Sequence, residues 1–143
     1  MAGSRLIIAE DQMVVALDMQ AMLIAAGHDV CGIAANADEA LTLVAEHRPD
    51  LALLDVELGG SDGLEAARLI MERYEIPTLL VTGHVRMEVA REAGVIGLVR
   101  KPFTEHILLA TIDTCLEWLR RGVVTEPIPP GFIGPNISGN RKR

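Results

Sequence analysis

No run of apolar residues in this chain approaches the ~20 needed to cross a bilayer. The longest, Ala21–Ala26, is short, as are runs such as Leu51–Leu54. No basic stretch followed by a long apolar core opens the sequence, so no secretory signal is read. The chain is therefore expected to be soluble and cytoplasmic, with no membrane partner. Cysteine is scarce. Cys31 and Cys115 lie far apart within apolar patterns and form no CxxC pair. That excludes a disulfide framework and a thiolate metal site, and leaves two reduced core thiols. Positive charge is in deficit, with 13 basic residues against 20 acidic ones and a net charge of −7. Three of those basic residues, Arg141, Lys142 and Arg143, end the chain, so the body before them is more acidic still. An acidic body argues against nucleic acid as a partner. Lysine is the rarest charged residue: Lys142 lies in that basic end, and Lys101 is the one other lysine.

The chain has 143 residues, half of them hydrophobic, which suffices for one core and about one domain. Short apolar runs alternate with longer periodic stretches. The runs are Leu6–Ala9, Asp29–Ala34, Leu51–Leu54, Pro77–Val81 and Val95–Val99. Between them, helices are expected over about Gln12–Ala26, from an Asn36 cap to before Pro49, over Leu64–Arg73 and over Val85–Glu92. A last helix starts at a Thr104 cap and runs to Arg121. Asn36 followed by Glu39 reads as a capping box, and Gly59-Gly60-Ser61-Asp62-Gly63 as a turn. Strands joined by helices are parallel. Their continuous apolar character suits burial on both faces. The fold class is thus α/β, a doubly wound five-stranded parallel sheet with five helices.

Residues 1–121 form this domain, and residues 122–143 form a tail of different composition. The tail holds four of the seven prolines, which exclude helix and central strand. It also carries Val123, Val124, Ile128, Phe132, Ile133 and Ile137. A flexible linker would be richer in Ser, Gly and charge. The tail is expected to pack near Trp118, on its own domain or on a neighbouring copy, and a disordered end is the alternative.

In a doubly wound sheet, ligands bind beyond the carboxyl ends of the strands. The first run ends in Glu10-Asp11, the third in Asp55, the fourth in Thr82 and the fifth in Lys101-Pro102. Taken singly, Asp and Thr are ordinary helix caps and Lys-Pro an ordinary turn. Taken together they place three carboxylates, a hydroxyl and an ammonium on one edge. Crowded carboxylates repel and their pKa values rise unless a cation is present. Magnesium suits such oxygen ligands. An ionised Asp can attack phosphorus, while the hydroxyl and ammonium hold phosphoryl oxygens.

This set resembles the receiver domain of two-component response regulators, over residues 4 to about 121. The resemblance implies a flavodoxin-like strand order 2-1-3-4-5 and a phosphoryl group accepted on Asp55 from a histidine kinase or histidine phosphotransfer protein. It implies Mg2+ held by Asp11, Asp55 and the Glu57 carbonyl, with Glu10 acting through water. Thr82 and Lys101 would bind phosphoryl oxygens, and the Lys101-Pro102 peptide would be cis. Three positions depart from the common pattern. Leu98 stands where Tyr or Phe is usual, so ring area and hydroxyl are missing there. Glu57 and His84 occupy positions that tune loss of the phosphoryl group in the family, and Gly83 leaves the site open. The segments Asp55-Val-Glu-Leu-Gly-Gly and Thr82-Gly83-His84 are also similar to stand-alone receivers of alphaproteobacterial stress and kinase-control circuits.

The expected function is a single-domain response regulator, because the residues after Arg121 are too few for an output domain. Its output would be binding to another protein, or shuttling phosphoryl groups; a homodimer is left open. The alternative is a receiver that acts as a constitutive interaction module without phosphorylation. An aspartate-nucleophile phosphatase would carry Asp, not Glu57, two residues after the nucleophile, and a cap domain over its substrate.

Overall fold

A computed structural model describes residues 3–134 of the chain. In chain order the elements are β1 (Arg5–Ala9), α1 (Met13–Ala25), β2 (Asp29–Ala34), α2 (Ala37–His47), β3 (Leu51–Leu54), β4 (Glu57–Leu58), β5 (Ser61–Asp62), α3 (Gly63–Tyr74), β6 (Thr78–Thr82), α4 (Met87–Glu92), β7 (Gly97–Arg100) and α5 (Glu105–Arg121). Five strands pair in the order β2-β1-β3-β6-β7, and every pair is parallel. Numbering only these five strands gives 2-1-3-4-5, as the resemblance to receiver domains implied.

The two-residue period of the strands divides the core in two. Ile7, Ala9, Ala52, Leu54, Leu80 and Leu98 face α2, α3 and α4, against Ala40, Val44, Ala66, Ile70 and Ala90. Leu6, Ile8, Leu51, Leu53, Val81 and Val99 face α1 and α5, against Ala16, Met19, Leu23, Leu108 and Ile112. Burial of both faces is why the strands read as unbroken apolar runs. Both cysteines are free thiols, and burial pushes that of Cys115 up to about 12.

The Asn36 side chain accepts the Glu39 N–H at 2.9 Å. The Glu39 carboxylate reaches one residue beyond the usual box partner and accepts the Ala35 N–H at 2.8 Å. The glycine-rich turn is more than a turn. Gly59 and Gly60 take φ values of +53° and +85° and close a two-residue hairpin between β4 and β5. Asp62 then caps α3, accepting the Leu64 N–H. Helix α4 starts two residues later than expected. The Val85 carbonyl is instead engaged by the Arg100 guanidinium, at 2.5 Å. Strand β7 also starts two residues later, at Gly97.

Past Gly122, whose φ is +73°, the chain turns back along α5. Thr125 donates to Glu117 through its N–H and its hydroxyl, at 2.8 and 2.6 Å. Phe132 meets Trp118 edge-on, with ring centroids 6.5 Å apart. The tail thus docks near Trp118 on its own domain. Phe132 and Ile133 do the packing, whereas Val123 and Ile128 stay exposed. Ile137 lies outside the described residues.

Removing the α2 cap with Asn36→Ala is expected to cost about 1 kcal/mol. The check is a lower urea midpoint with an unchanged denaturant slope.

Candidate functional site

Each parallel strand delivers its last residue to the same edge of the sheet. Because β1 pairs with β3, with Ala9 beside Leu54, the residues that follow, Glu10 and Asp55, lie side by side. Strands β3, β6 and β7 continue that edge, bringing Thr82 and Lys101 to it. The Lys101-Pro102 peptide is cis. All five residues named from the strand ends therefore meet, although up to 91 positions separate them in sequence.

Lys101 is the centre of the arrangement. Its Nζ lies 2.5 Å from Glu10 Oε1 and 2.7 Å from Asp55 Oδ2. Glu10 is 2% exposed and Asp55 7%, so this ammonium bridges two buried carboxylates. Glu10 Oε2 also accepts the Gln12 N–H, and Asp55 Oδ1 accepts the Glu57 N–H. Asp11 is exposed and accepts the Gly59 N–H at 3.1 Å. Carboxylate oxygens of Glu10, Asp11 and Asp55 all lie within 4.8 Å of one another, a cluster that can hold a cation.

The two buried carboxylates are driven in opposite directions. Burial raises the Glu10 pKa, and the hydrogen bond from Lys101 offsets this only in part. Burial pushes Asp55 up too, but hydrogen bonds from Lys101, Thr82 and the Glu57 N–H outweigh it, leaving Asp55 lowered. Crowding alone leads one to expect both to rise; Lys101 reverses the sign at Asp55. Burial disfavours the charged lysine, yet its bonds to Asp55 and Glu10 leave its pKa raised. Asp55 is therefore a buried carboxylate whose ionised form is favoured by its hydrogen-bond partners.

Above the site opens a cleft of about 600 Å³, reached by Asp11, Asp55, Thr82 and Lys101. Glu57 and His84 are exposed on its rim, and Gly83 adds no bulk there. Glu10 does not reach the cleft but lies beneath Lys101. Gly63 is a further residue that the site depends on. A Cβ at this position would clash with the Asp55 carbonyl oxygen, so α3 can start this close to Asp55 only with glycine. In the sequence that residue is hidden among the glycines of the turn. Leu98 is buried among α2–α4 side chains, and its N–H donates to the Gly131 carbonyl at 2.8 Å.

The two shifts have opposite consequences for stability. Asp55, lowered, contributes stability above the ordinary value of 3.8 that is lost as pH falls through its own value. Glu10, raised, favours the fold only while protonated, and that contribution is lost as pH rises through its value. Glu10→Gln mimics the protonated form. In metal-free buffer it is expected to match wild type below pH 4.5, the ordinary glutamate value, and to gain on it at higher pH. Urea unfolding at a series of pH values checks the sign.

Among the described residues no helix is long and apolar enough to cross a membrane. The family model of the response regulator receiver domain matches residues 6–113. The transcriptional regulatory protein PdtaR of Mycobacterium tuberculosis is 32% identical over 119 residues, covering 81% of this chain and 58% of PdtaR. The phyllosphere-induced regulator PhyR of Methylorubrum extorquens is 31% identical over 117 residues, covering 80% of this chain and 44% of PhyR. The chain thus spans about half the length of these curated relatives. Among solved structures, the response regulator PhyR from Brucella abortus is 31% identical with a TM-score of 0.74, covering 85% of this chain and 51% of that one. The receiver domain of a modulated diguanylate cyclase from Desulfovibrio desulfuricans superposes with a TM-score of 0.75 at 26% identity, covering 85% and 99%. A matched model over most of the chain, and the strand-end acidic cluster bridged by a lysine, lead to one conclusion: the chain belongs to the response regulator receiver domain family.

Proposed function

We propose that this receiver accepts a phosphoryl group on Asp55, with Mg2+, from the phosphohistidine of a histidine kinase or histidine phosphotransfer protein in the cytoplasm. Residues 1–121 carry this chemistry, and the tail, residues 122–143, takes no part in it. The single observation that carries the reading is the Lys101 ammonium, 2.7 Å from the buried Asp55 carboxylate at the floor of an open cleft. It keeps Asp55 ionised and marks where a second set of anionic oxygens can be received.

The oxygen-only donor set of Asp11 and Asp55 fits Mg2+, with the Glu57 carbonyl as a further ligand. When bound, the ion supplies positive charge against which carboxylates and phosphoryl oxygens can approach each other. An Asp55 carboxylate oxygen attacks phosphorus; the new O–P bond forms as the P–N bond to histidine breaks, and the imidazole leaves with the electron pair. Lys101 exchanges its contact with the Asp55 oxygen for one with a phosphoryl oxygen. Thr82 donates its hydroxyl to another. Glu57 and His84, on the rim, meet the water that later hydrolyses the acyl phosphate. The chain thus catalyses only its own phosphorylation and dephosphorylation, and its output is binding to another protein or onward phosphoryl transfer.

Acetyl phosphate with Mg2+ is expected to add one phosphoryl group, read by intact mass. Asp55→Asn abolishes the addition, as does chelation of the metal. Continued labelling of the Asn variant would overturn the assignment. Thr82→Ala is expected to slow the addition by about tenfold, the worth of one hydrogen bond to a charged group. Stopped time courses of the same mass shift measure it.

A further inference from the structure

Strand β7 ends the sheet on its side, and a free strand edge is a template for another strand. Here the chain's own tail takes that place. The Leu98 N–H donates to the Gly131 carbonyl at 2.8 Å, and the Ile133 and Gly134 N–H groups both donate to the Ile96 carbonyl at 2.9 Å. Gly97 and Phe132 form an antiparallel bridge. Side chains alternate as in a strand. Ile133 packs on the α2–α4 side of the sheet, and Phe132 packs on the α5 side against Trp118.

This contact is selective. A Cβ at Gly131 would collide with the Leu98 carbonyl oxygen, so no larger residue can take that register. At the next position the Phe132 ring meets Trp118 edge-on. Yet the hold is slight. Thr125 on Glu117 is one anchor and residues 131–134 are the other. Between and before them, Ile128 is 42% and Val123 52% exposed. A cleft of about 340 Å³ runs beside the docked segment, bounded by Met87, Phe103, Ile107 and Thr111, and gives an incoming chain room to enter.

We infer that the outer edge of β7, with the Trp118 face of α5, is an acceptor surface for an extended protein segment, and that residues 125–134 are a latch occupying it. The partner this surface fits is a peptide strand with glycine opposite Leu98, followed by an aromatic and then an aliphatic residue. It would join β7 by strand addition once the latch is displaced. The latch covers the surface in the resting chain, so binding there is gated by the tail. This binding needs no phosphoryl chemistry.

The test uses the full chain without phosphate donor. Trp118 is the one tryptophan, so its emission reports the latch. The probe is the synthetic peptide Ile-Pro-Pro-Gly-Phe-Ile-Gly. Gly131→Val is expected to red-shift Trp118 emission and to speed exchange of the Leu98 amide by about tenfold or more. The peptide should bind this variant about tenfold more tightly than wild type and return the emission to the blue. A peptide with valine in place of its glycine should not bind. Phe132→Ala, a milder change, is read in the same way if Gly131→Val does not fold. Equal affinity for wild type and the opened variant, no binding to either, or unchanged Leu98 exchange in the opened variant would overturn the inference.

Discussion

Two buried carboxylates side by side at the end of a sheet cannot both stay ionised without a cation, and Lys101 supplies it. The rest of the site follows from that constraint. Glu10 and Asp55 are neighbours because β1 and β3 pair. Lys101 reaches both because β7 lies at one end of the same sheet and its chain continues towards β3. Removing the lysine from this buried set leaves two carboxylates without their cation, at a typical cost of about 3–5 kcal/mol. The lysine therefore couples the folding of the sheet to the readiness of Asp55. Because Glu10 takes part of the ammonium's charge from below, the cleft face of Asp55 keeps an oxygen-rich opening beside Asp11.

Strand β7 has two jobs at once. At its C-terminal end it delivers Lys101. Along its outer edge it receives the tail, through Ile96 and Leu98. The side chain of Leu98 lies in the same core as Leu54 and Leu80, the residues behind Asp55 and Thr82. Helix α4, beside it, has only six residues and one fully buried side chain, Ala90. Helix α4 is thus held by fewer buried side chains than α1, α2 or α3.

Much of this was legible in the sequence for a physical reason. Strands covered on both faces must be apolar throughout, so Leu6–Ala9 and Leu51–Leu54 announce a parallel sheet. Such sheets place ligands at strand ends, which singles out Glu10, Asp11, Asp55, Thr82 and Lys101. What escaped reading depends on distance or on brevity. Two-residue strands such as β4 and β5 carry no periodicity. The lowered pKa of Asp55 depends on an ammonium 46 residues away, against a burial effect of opposite sign. The late starts of α4 and β7 follow from long-range contacts, Arg100 on Val85 and the tail on Ile96, which leave no local trace. The tail's apolar residues signalled docking near Trp118, but its strand-like pairing with β7 rests on one glycine, Gly131, among several.

The claim at the centre is that Lys101 holds Asp55 ionised against its burial. A carbon-13 NMR titration of the Asp55 carboxyl, in metal-free buffer, reads this directly. In the wild type the midpoint is expected below 3.8, the ordinary aspartate value, and Lys101→Met should move it upward. A wild-type midpoint at or above that value, or one that Lys101→Met leaves in place, would contradict it.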